Sequence, residues 1–406
     1  MHLLFLTSEQ WPTFRADLVV LFGKYLPRAG ITCDLVTEQE LFNKKGKSPL
    51  WPAGKAFLCE VPKHRAGQYI VKFLHQCQVL ITRDYRQYHA IQVRDMTIIA
   101  LVAIVMCKLK KRPFFYWLSY PQSEGQIQRA KARGRKAGIR YWFPLMQGTI
   151  GEWLLYKIIM PNAHHIFVQS QTMLEMMVRK GIASEKITAV PMGVDLEVLE
   201  PTPSPSENPL LIGKRVLVYL GTLDRVRQIE ILFNMLVIVR EKIPNILLVL
   251  AGDTEDETHR IWLKEEAQKL GVLEQVLWTS WLPMQEAWRY VIAAEIGLSP
   301  FPRSFLLDMA SPTKAVEYMA LGLPVIANNN PDQAQVIQES GAGMCVELKP
   351  ESFAKSVIYI FDNLALSAEM TLRGKAYITK KRGYDSISNT LARKYHQLLN
   401  VNGFVK

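Results

Sequence analysis

SPTKAVEYMALGLPVIA (residues 311–327) reads as a helix followed by a strand, and that alternation sets the class of fold for its half of the chain. Ser311 is a good N-cap and Pro312 suits the first helical position. Gly322 stands where a C-cap belongs, and Pro324 and Val325 open a strand. The pattern predicts a short helix from Pro312 to Leu321. Unpaired first-turn N–H groups carry the positive end of the helix dipole, so a phosphate is a natural guest at Ser311, Pro312 and Thr313. Lys314 adds a positive charge. Glu317, three residues on, shares its face and can accept hydrogen bonds from hydroxyls beside the phosphate. A sugar nucleotide offers both groups. The window also fits an ordinary surface helix, where a Lys/Glu pair contributes roughly 0.2–0.5 kcal/mol. The rest of the chain has to decide between the two.

Outward from this window the pattern repeats. VLVYLG (216–221), ILLVLAG (246–252), QVLWTSW (275–281) and IGLSPF (296–301) are short apolar runs separated by helical stretches. The first half does the same with LLFLTS (3–8), ITCDLV (31–36), QVLITR (78–83), FFYWLS (114–119), HHIFVQS (164–170) and ITAVPM (187–192). Continuous apolar strands alternating with helices mean parallel sheets covered on both faces. Between the halves, PTPSPSENP (201–209) has four prolines in nine residues and reads as an interdomain linker. The expected domains are 1–200, braced by a C-terminal helix within 384–406, and 201–383. In two doubly wound domains, ligands bind at the C-terminal ends of the strands, so the active site is expected between them.

A chain of 406 residues with 49% hydrophobic and 21% charged residues is long enough for two cores. Its formal charge of +12 implies an anionic partner. From Lys108 to Arg140 ten basic residues face one acidic residue, Glu124. This stretch is preceded by TIIALVAIVMC (97–107) and followed by Tyr141, Trp142, Phe143, Trp153 and Tyr156, a basic, aromatic and aliphatic mixture typical of membrane interfaces. The 97–107 run is about half the roughly 20 residues that span a bilayer, and it reads better as a buried helix. Attachment of the 108–160 region to an anionic membrane surface is the expectation. No ribonucleoprotein, KH or zinc-knuckle signature makes nucleic acid an expected partner. The five cysteines are widely spaced with no C-x-x-C pair and read as reduced. MHLLFLTSEQ starts as a strand rather than a signal peptide, which points to the cytosol, with the inner face of the cell membrane as a peripheral station. The eight histidines show no H-x-x-H spacing, so no metal site is expected.

YLGTLDRVRQIEILF (219–233) places Gly221 and Thr222 at a strand end, then Arg225 and Arg227 in a loop, then an amphipathic helix. Glycine lets backbone approach a phosphate, and arginine binds its oxygens as a fork. The same segment fits an ordinary strand-to-helix turn with solvated arginines. No G-x-G-x-x-G accompanies it.

The succession VPMGVDLEVLEP (190–201), YLGTLDRVRQIE, LLVLAGD (247–253) and ASPTKAVEYMALGLPVIANNNPDQAQVI (310–337) resembles the retaining glycosyltransferases of the family 4 type, with the two-domain GT-B fold. The resemblance implies an α/β architecture of two Rossmann-like domains and a nucleoside-diphosphate sugar donor, UDP or GDP based, held mainly by the C-terminal domain. It implies no metal cofactor and a glycan or lipid-linked acceptor. Carried over by position, Gly221 and Thr222 match the glycine loop near the diphosphate, and Arg227 takes the place of the family's phosphate-binding lysine, with Arg225 as a helper. Glu317 matches the second glutamate of the E-x7-E motif, which holds the ribose hydroxyls, and the backbone around Trp281 and Leu282 matches the seat of the base. The first glutamate is replaced by Met309, and Asp308 beside it is a substitute by position. In the first half, Arg15, Ser119 and Tyr120 fall near expected strand ends, while Arg83, Asp84 and His89 are further candidates; none is a clear acid or base. Two other readings share the architecture: a sugar-nucleotide 2-epimerase, which calls for more carboxylates and a histidine, and a non-catalytic partner protein.

Overall fold

The computed structural model describes residues 1–39, 50–60 and 65–400. The chain forms two compact units, Met1–Met192 with Tyr384–Lys406, and Gly193–Gly383. Each holds one all-parallel sheet.

In the first unit the strands β1 (His2–Leu6), β2 (Thr32–Glu38), β3 (Ala56–Cys59), β4 (Ala90–Arg94), β5 (Phe114–Leu118), β6 (His165–Val168) and β7 (Ile187–Ala189) pair in the order β3-β2-β1-β4-β5-β6-β7. Among them run α1 (Leu26–Arg28), α2 (Arg65–Thr82), α3 (Thr97–Lys110), α4 (Gln122–Arg133), α5 (Ile139–Leu154), α6 (Met160–Asn162) and α7 (Gln171–Arg179). The strands are apolar along their length because helices cover both faces. QVLITR (78–83), expected as a strand, is instead the end of α2. Val79 and Leu80 are buried while Ile81 is exposed, a helical rather than a two-residue alternation. The strand in that part of the sheet is β4, eight residues further on by its first residue, Ala90, than the end of α2 at Thr82.

The second unit pairs β8 (Arg215–Leu220), β9 (Ile246–Ala251), β10 (Val276–Trp278), β11 (Ile296–Ser299), β12 (Val325–Asn328) and β13 (Gly343–Val346) in the order β10-β9-β8-β11-β12-β13. Its helices are α8 (Glu230–Val239), α9 (Glu257–Lys269), α10 (Met284–Ile292), α11 (Lys314–Ala320), α12 (Pro331–Ser340), α13 (Pro350–Asp362) and α14 (Leu364–Tyr377). The proline-rich 201–209 stretch belongs to this unit and is fastened to α10. Ser206 N donates to Arg289 O at 2.9 Å, and Asn208 Nδ2 to Tyr290 Oη at 3.2 Å. The ends of the unit meet in a parallel bridge between Val194 and Gly383.

After Gly383 the chain returns to the first unit as α15 (Tyr384–Asn400). Tyr384, Leu391 and Tyr395 join Leu3, Phe5 and Phe115 in one core, and Tyr395 Oη donates to buried Gln92 at 2.5 Å. Residues 401–406 of the expected brace lie outside the described residues.

Candidate functional site

All six strands of the second sheet run in parallel, so their C-terminal ends share one edge. That edge carries Gly221 after β8, Gly252 after β9, Thr279–Leu282 after β10 and Phe301 after β11. Two of these turns need glycine. Gly221 has φ +129° and Gly252 has φ +146°, and a Cβ on Gly252 would come within 2.2 Å of the Gly221 carbonyl oxygen. Removal of side chains there opens the loop to whatever lies above it. What lies above it is Lys314: a Cβ on Gly221 would meet its Cε at 2.8 Å.

α11 is seated by Tyr318, whose hydroxyl accepts from Leu220 N at 2.7 Å and donates to Leu298 O at 3.2 Å. Gly297 leaves room for that ring, since a Cβ there would come within 2.4 Å of it. One turn earlier, Lys314 therefore projects over the end of β8, its Nζ 5.1 Å from the ring centre of Tyr219. Arg227, at the end of a single 3-10 turn (Arg225–Arg227), lies over Phe301 with its guanidinium 4.9 Å from the ring centre. Its Nε and Nη1 are buried and meet no hydrogen-bond partner among the described residues. Burial first, and Arg227 second, push the Lys314 pKa down to about 7, against the smaller pull of Glu317 and Asp224. Two basic groups thus share a desolvated spot in which burial and mutual repulsion outweigh the nearby carboxylates. Glu317 sits one turn on, and burial raises its pKa against the opposing effects of Thr313 and Lys314.

Several expectations change. The helix begins at Lys314, not Pro312, and is seven residues long. Thr313 occupies the N-cap position with helical backbone angles and no side-chain capping bond. Ser311 is not the cap. Its hydroxyl donates to Asp332 Oδ2 at 2.9 Å and accepts from Arg382 Nη1 at 3.3 Å, while Arg382 Nη2 lies 2.8 Å from Asp332 Oδ1. That buried triad fixes Ser311, which leads through Pro312 into the helix. Arg225 does not join Arg227. It turns to the surface, with Nε 3.3 Å from Asp256 Oδ2 and Nη2 3.4 Å from Thr258 Oγ1. Asp308 is held by Arg303 through two bonds of 2.7 and 2.9 Å, and Met309 is buried. Thr222 accepts from Tyr219 Oη through its carbonyl at 2.9 Å. Trp281 is exposed and Leu282 half-buried, in the loop after β10 at the same strand edge as Gly221.

In the first unit, Arg83 stacks on Phe57 at 3.9 Å, Asp84 caps a turn by accepting from Arg86 N, and His89 Nδ1 accepts from His2 N. All three are engaged by neighbours within the unit. Sequence reading missed Asp95, which follows β4 with φ +56°, a left-handed conformation rare outside glycine. Ser119 N donates to its Oδ1 at 2.7 Å and Ser119 Oγ to its Oδ2. Arg94, 1% exposed, has Nη2 2.8 Å from Asp17 Oδ2 and Nε 3.4 Å from Asp95 Oδ2. Burial raises the Asp95 pKa, opposed first by Arg94 and then by Ser119. The signal for this residue was available only to a reader who had placed β4.

The family model described as "Glycosyl transferases group 1" matches residues 205–377. No curated protein matches the sequence. Among solved structures, HepE (Alr3699) of Anabaena in complex with UDP is 14% identical over 98% of this chain and 100% of its own, with a TM-score of 0.69. Sucrose-phosphate synthase of Thermosynechococcus elongatus is 17% identical over 99% and 100%, with a TM-score of 0.72. WaaG, a glycosyltransferase involved in lipopolysaccharide biosynthesis, is 13% identical over 97% and 99%, with a TM-score of 0.65. Residues 205–377 of this chain thus match the group 1 glycosyl transferase family, and the whole chain has the two-domain Rossmann-like fold of GT-B glycosyltransferases.

Proposed function

We propose that the protein is a retaining, family 4 type glycosyltransferase that moves a sugar from a nucleoside-diphosphate sugar to a glycan or lipid-linked acceptor. The observation that carries the reading is Lys314 over Gly221 with Arg227 close enough to help depress its pKa, while Nε and Nη1 of Arg227 have no hydrogen-bond partner among the described residues. An isolated buried cation is costly, and a diphosphate would relieve both at once. Departure of the nucleoside diphosphate builds negative charge on the leaving oxygen. The same two cations would offset it, so the chemistry needs no divalent ion. The acceptor hydroxyl then attacks from the face the diphosphate leaves. Glu317 accepts hydrogen bonds from the ribose hydroxyls, and the backbone at Trp281 and Leu282 seats the base.

HepE has been solved with UDP, with UDP and glucose, and with UDP-glucose, which supports uridine over guanosine for this chain. WaaG's part in lipopolysaccharide biosynthesis supports a cell-envelope acceptor. No described helix is long and apolar enough to cross a membrane. The exposed basic side chains of 108–140 favour peripheral attachment to the cytoplasmic face.

Calorimetric titration with UDP and with GDP, without added metal, tests the donor site. Tight binding of UDP that weakens roughly tenfold in Glu317→Ala, about 1.4 kcal/mol, is the expected result. Folded wild-type protein that binds neither nucleotide would remove the transferase reading and favour a non-catalytic role.

A further inference from the structure

Phe301, on whose ring Arg227 lies, is held by a side chain rather than by the sheet. It follows β11 in the sequence Pro300-Phe301-Pro302, so its own N–H is the only backbone donor of those three residues. The regular pairing of β11 with β12 stops at Ser299 and Ala327, and Pro300 has no N–H with which to extend it. An amide takes over. Asn328, the last residue of β12, accepts from Phe301 N through Oδ1 at 2.6 Å and donates from Nδ2 to Phe301 O at 2.9 Å. One side chain thereby grips both main-chain polar groups of one residue.

The grip is itself fixed. Gln333, on α12, donates from Nε2 to Asn328 Oδ1 at 3.2 Å, to Asn328 O at 3.0 Å and to Ser299 O at 3.2 Å, and its own oxygen accepts from Ser299 Oγ at 2.9 Å. Were the Asn328 amide turned over, its nitrogen would face two donors, Phe301 N and Gln333 Nε2, so one orientation alone is permitted. Ser299, Asn328 and Gln333 are fully buried, and a satisfied buried polar network rigidifies what surrounds it. Pro302 adds to this, because the residue before a proline is kept out of the helical region. Phe301 is constrained at its N–H, at its carbonyl and in its torsion angles.

Arg227 has far less holding it. Its side chain makes no ion pair among the described residues, its Nε and Nη1 have no hydrogen-bond partner there, and Lys314 close by repels it. The ring of Phe301, 4.9 Å from the guanidinium, is the attractive face that opposes this repulsion. A carboxylate partner would occupy the N–H groups along the guanidinium edge. An aromatic face leaves them free for an incoming anion. Where the ring stands therefore decides where those N–H groups point.

We propose that Asn328 is a positioning residue for the donor diphosphate: through the backbone of Phe301 it sets the ring that aims Arg227, and Gln333 fixes Asn328 in turn. That role rests on the transferase reading above.

A double-mutant cycle in the full-length protein tests it, with calorimetric affinity for UDP and for GDP as the readout. Asn328→Leu keeps roughly the shape of the side chain and removes both bonds to Phe301. It is expected to weaken binding of the tighter nucleotide about tenfold on its own, and by less than about twofold in Arg227→Met, where the guanidinium to be aimed is already gone. Phe301→Leu leaves the Asn328 amide in place and removes only the ring. It is expected to follow the same pattern, and it carries the test if Asn328→Leu does not fold. Equal losses in both backgrounds would show a general structural effect and overturn the positioning role, as would unchanged affinity in both single variants. Nucleotide binding that Arg227→Met leaves intact would overturn the route through Arg227 while the transferase stands. Folded wild-type protein that binds neither nucleotide would remove the transferase reading, and the positioning role with it.

Discussion

Both units gather charge at the C-terminal edge of their sheets, but they treat it differently. In the first, Arg94 is enclosed between Asp17 and Asp95, and Asp95 receives two hydrogen bonds from Ser119. In the second, Arg227 keeps two buried nitrogens without a partner, and Lys314 next to it is pushed toward neutrality. Three Arg94 nitrogens also lack a hydrogen bond, so the difference lies in charge: Arg94 is ion-paired with two carboxylates, whereas Arg227 has no ion pair among the described residues and a second cation beside it. On the proposed function, that difference marks the spot beside Arg227 and Lys314 as the seat of the donor phosphates.

It can be broken by exchanging one cation at a time. The largest effect is expected for Arg94→Met, which leaves buried Asp95 with Ser119 alone and Asp17 with Arg15 alone and costs about 3–5 kcal/mol. Chemical denaturation would read this as an early first-unit transition, with UDP-glucose affinity of the folded fraction within about twofold of wild type. A loss of affinity with stability intact would place Arg94 among the ligand-binding groups and erase the distinction. Arg227→Met should do the reverse. Donor affinity is expected to fall about 30- to 100-fold, roughly 2–2.7 kcal/mol, while the melting temperature holds or rises because an unpaired buried cation is gone. A lowered melting temperature with unchanged affinity would make Arg227 a structural residue.

The smallest effect sharpens the contrast by pH. In the ligand-free protein Lys314 loses its proton near pH 7, and a bound diphosphate favours the protonated form. UDP-glucose affinity is therefore highest below about pH 7 and falls as pH rises, by up to about tenfold per pH unit until the bound-state pKa is passed. UDP-glucose is the right probe because its phosphates do not titrate in this range. Lys314→Arg should flatten the curve, since guanidinium stays charged. The unfolded chain holds this proton up to about pH 10.5, so the ligand-free unit should gain stability as pH rises from 7 toward that value. A pH-independent affinity in wild type would mean that Lys314 does not meet the phosphates.

The second unit was far more legible in sequence than the first. Its motifs are local: Gly221 and Arg227 are six residues apart, Lys314 and Glu317 three, and each pair shares one turn or helix. What failed there was non-local. Ser311 looks like a cap until Asp332 and Arg382, distant in sequence, take its hydroxyl. Arg225 and Arg227 are indistinguishable as letters, and a 3-10 turn ending at Gln228, φ +51°, sends one outward and one inward. In the first unit, apolar richness misled. Val79, Leu80 and Ile81 are strand formers by type, yet they extend an amphipathic helix, and assigning a strand there hid β4 and the Asp95 that follows it.

The parallel bridge between Val194 and Gly383 makes the second unit an inserted module, with its entry and exit points side by side. Everything proposed to hold the nucleotide lies between those two residues. A unit whose ends touch can be excised, closed with a short linker or opened elsewhere by circular permutation. In engineering terms, the second unit of this chain is a detachable cassette.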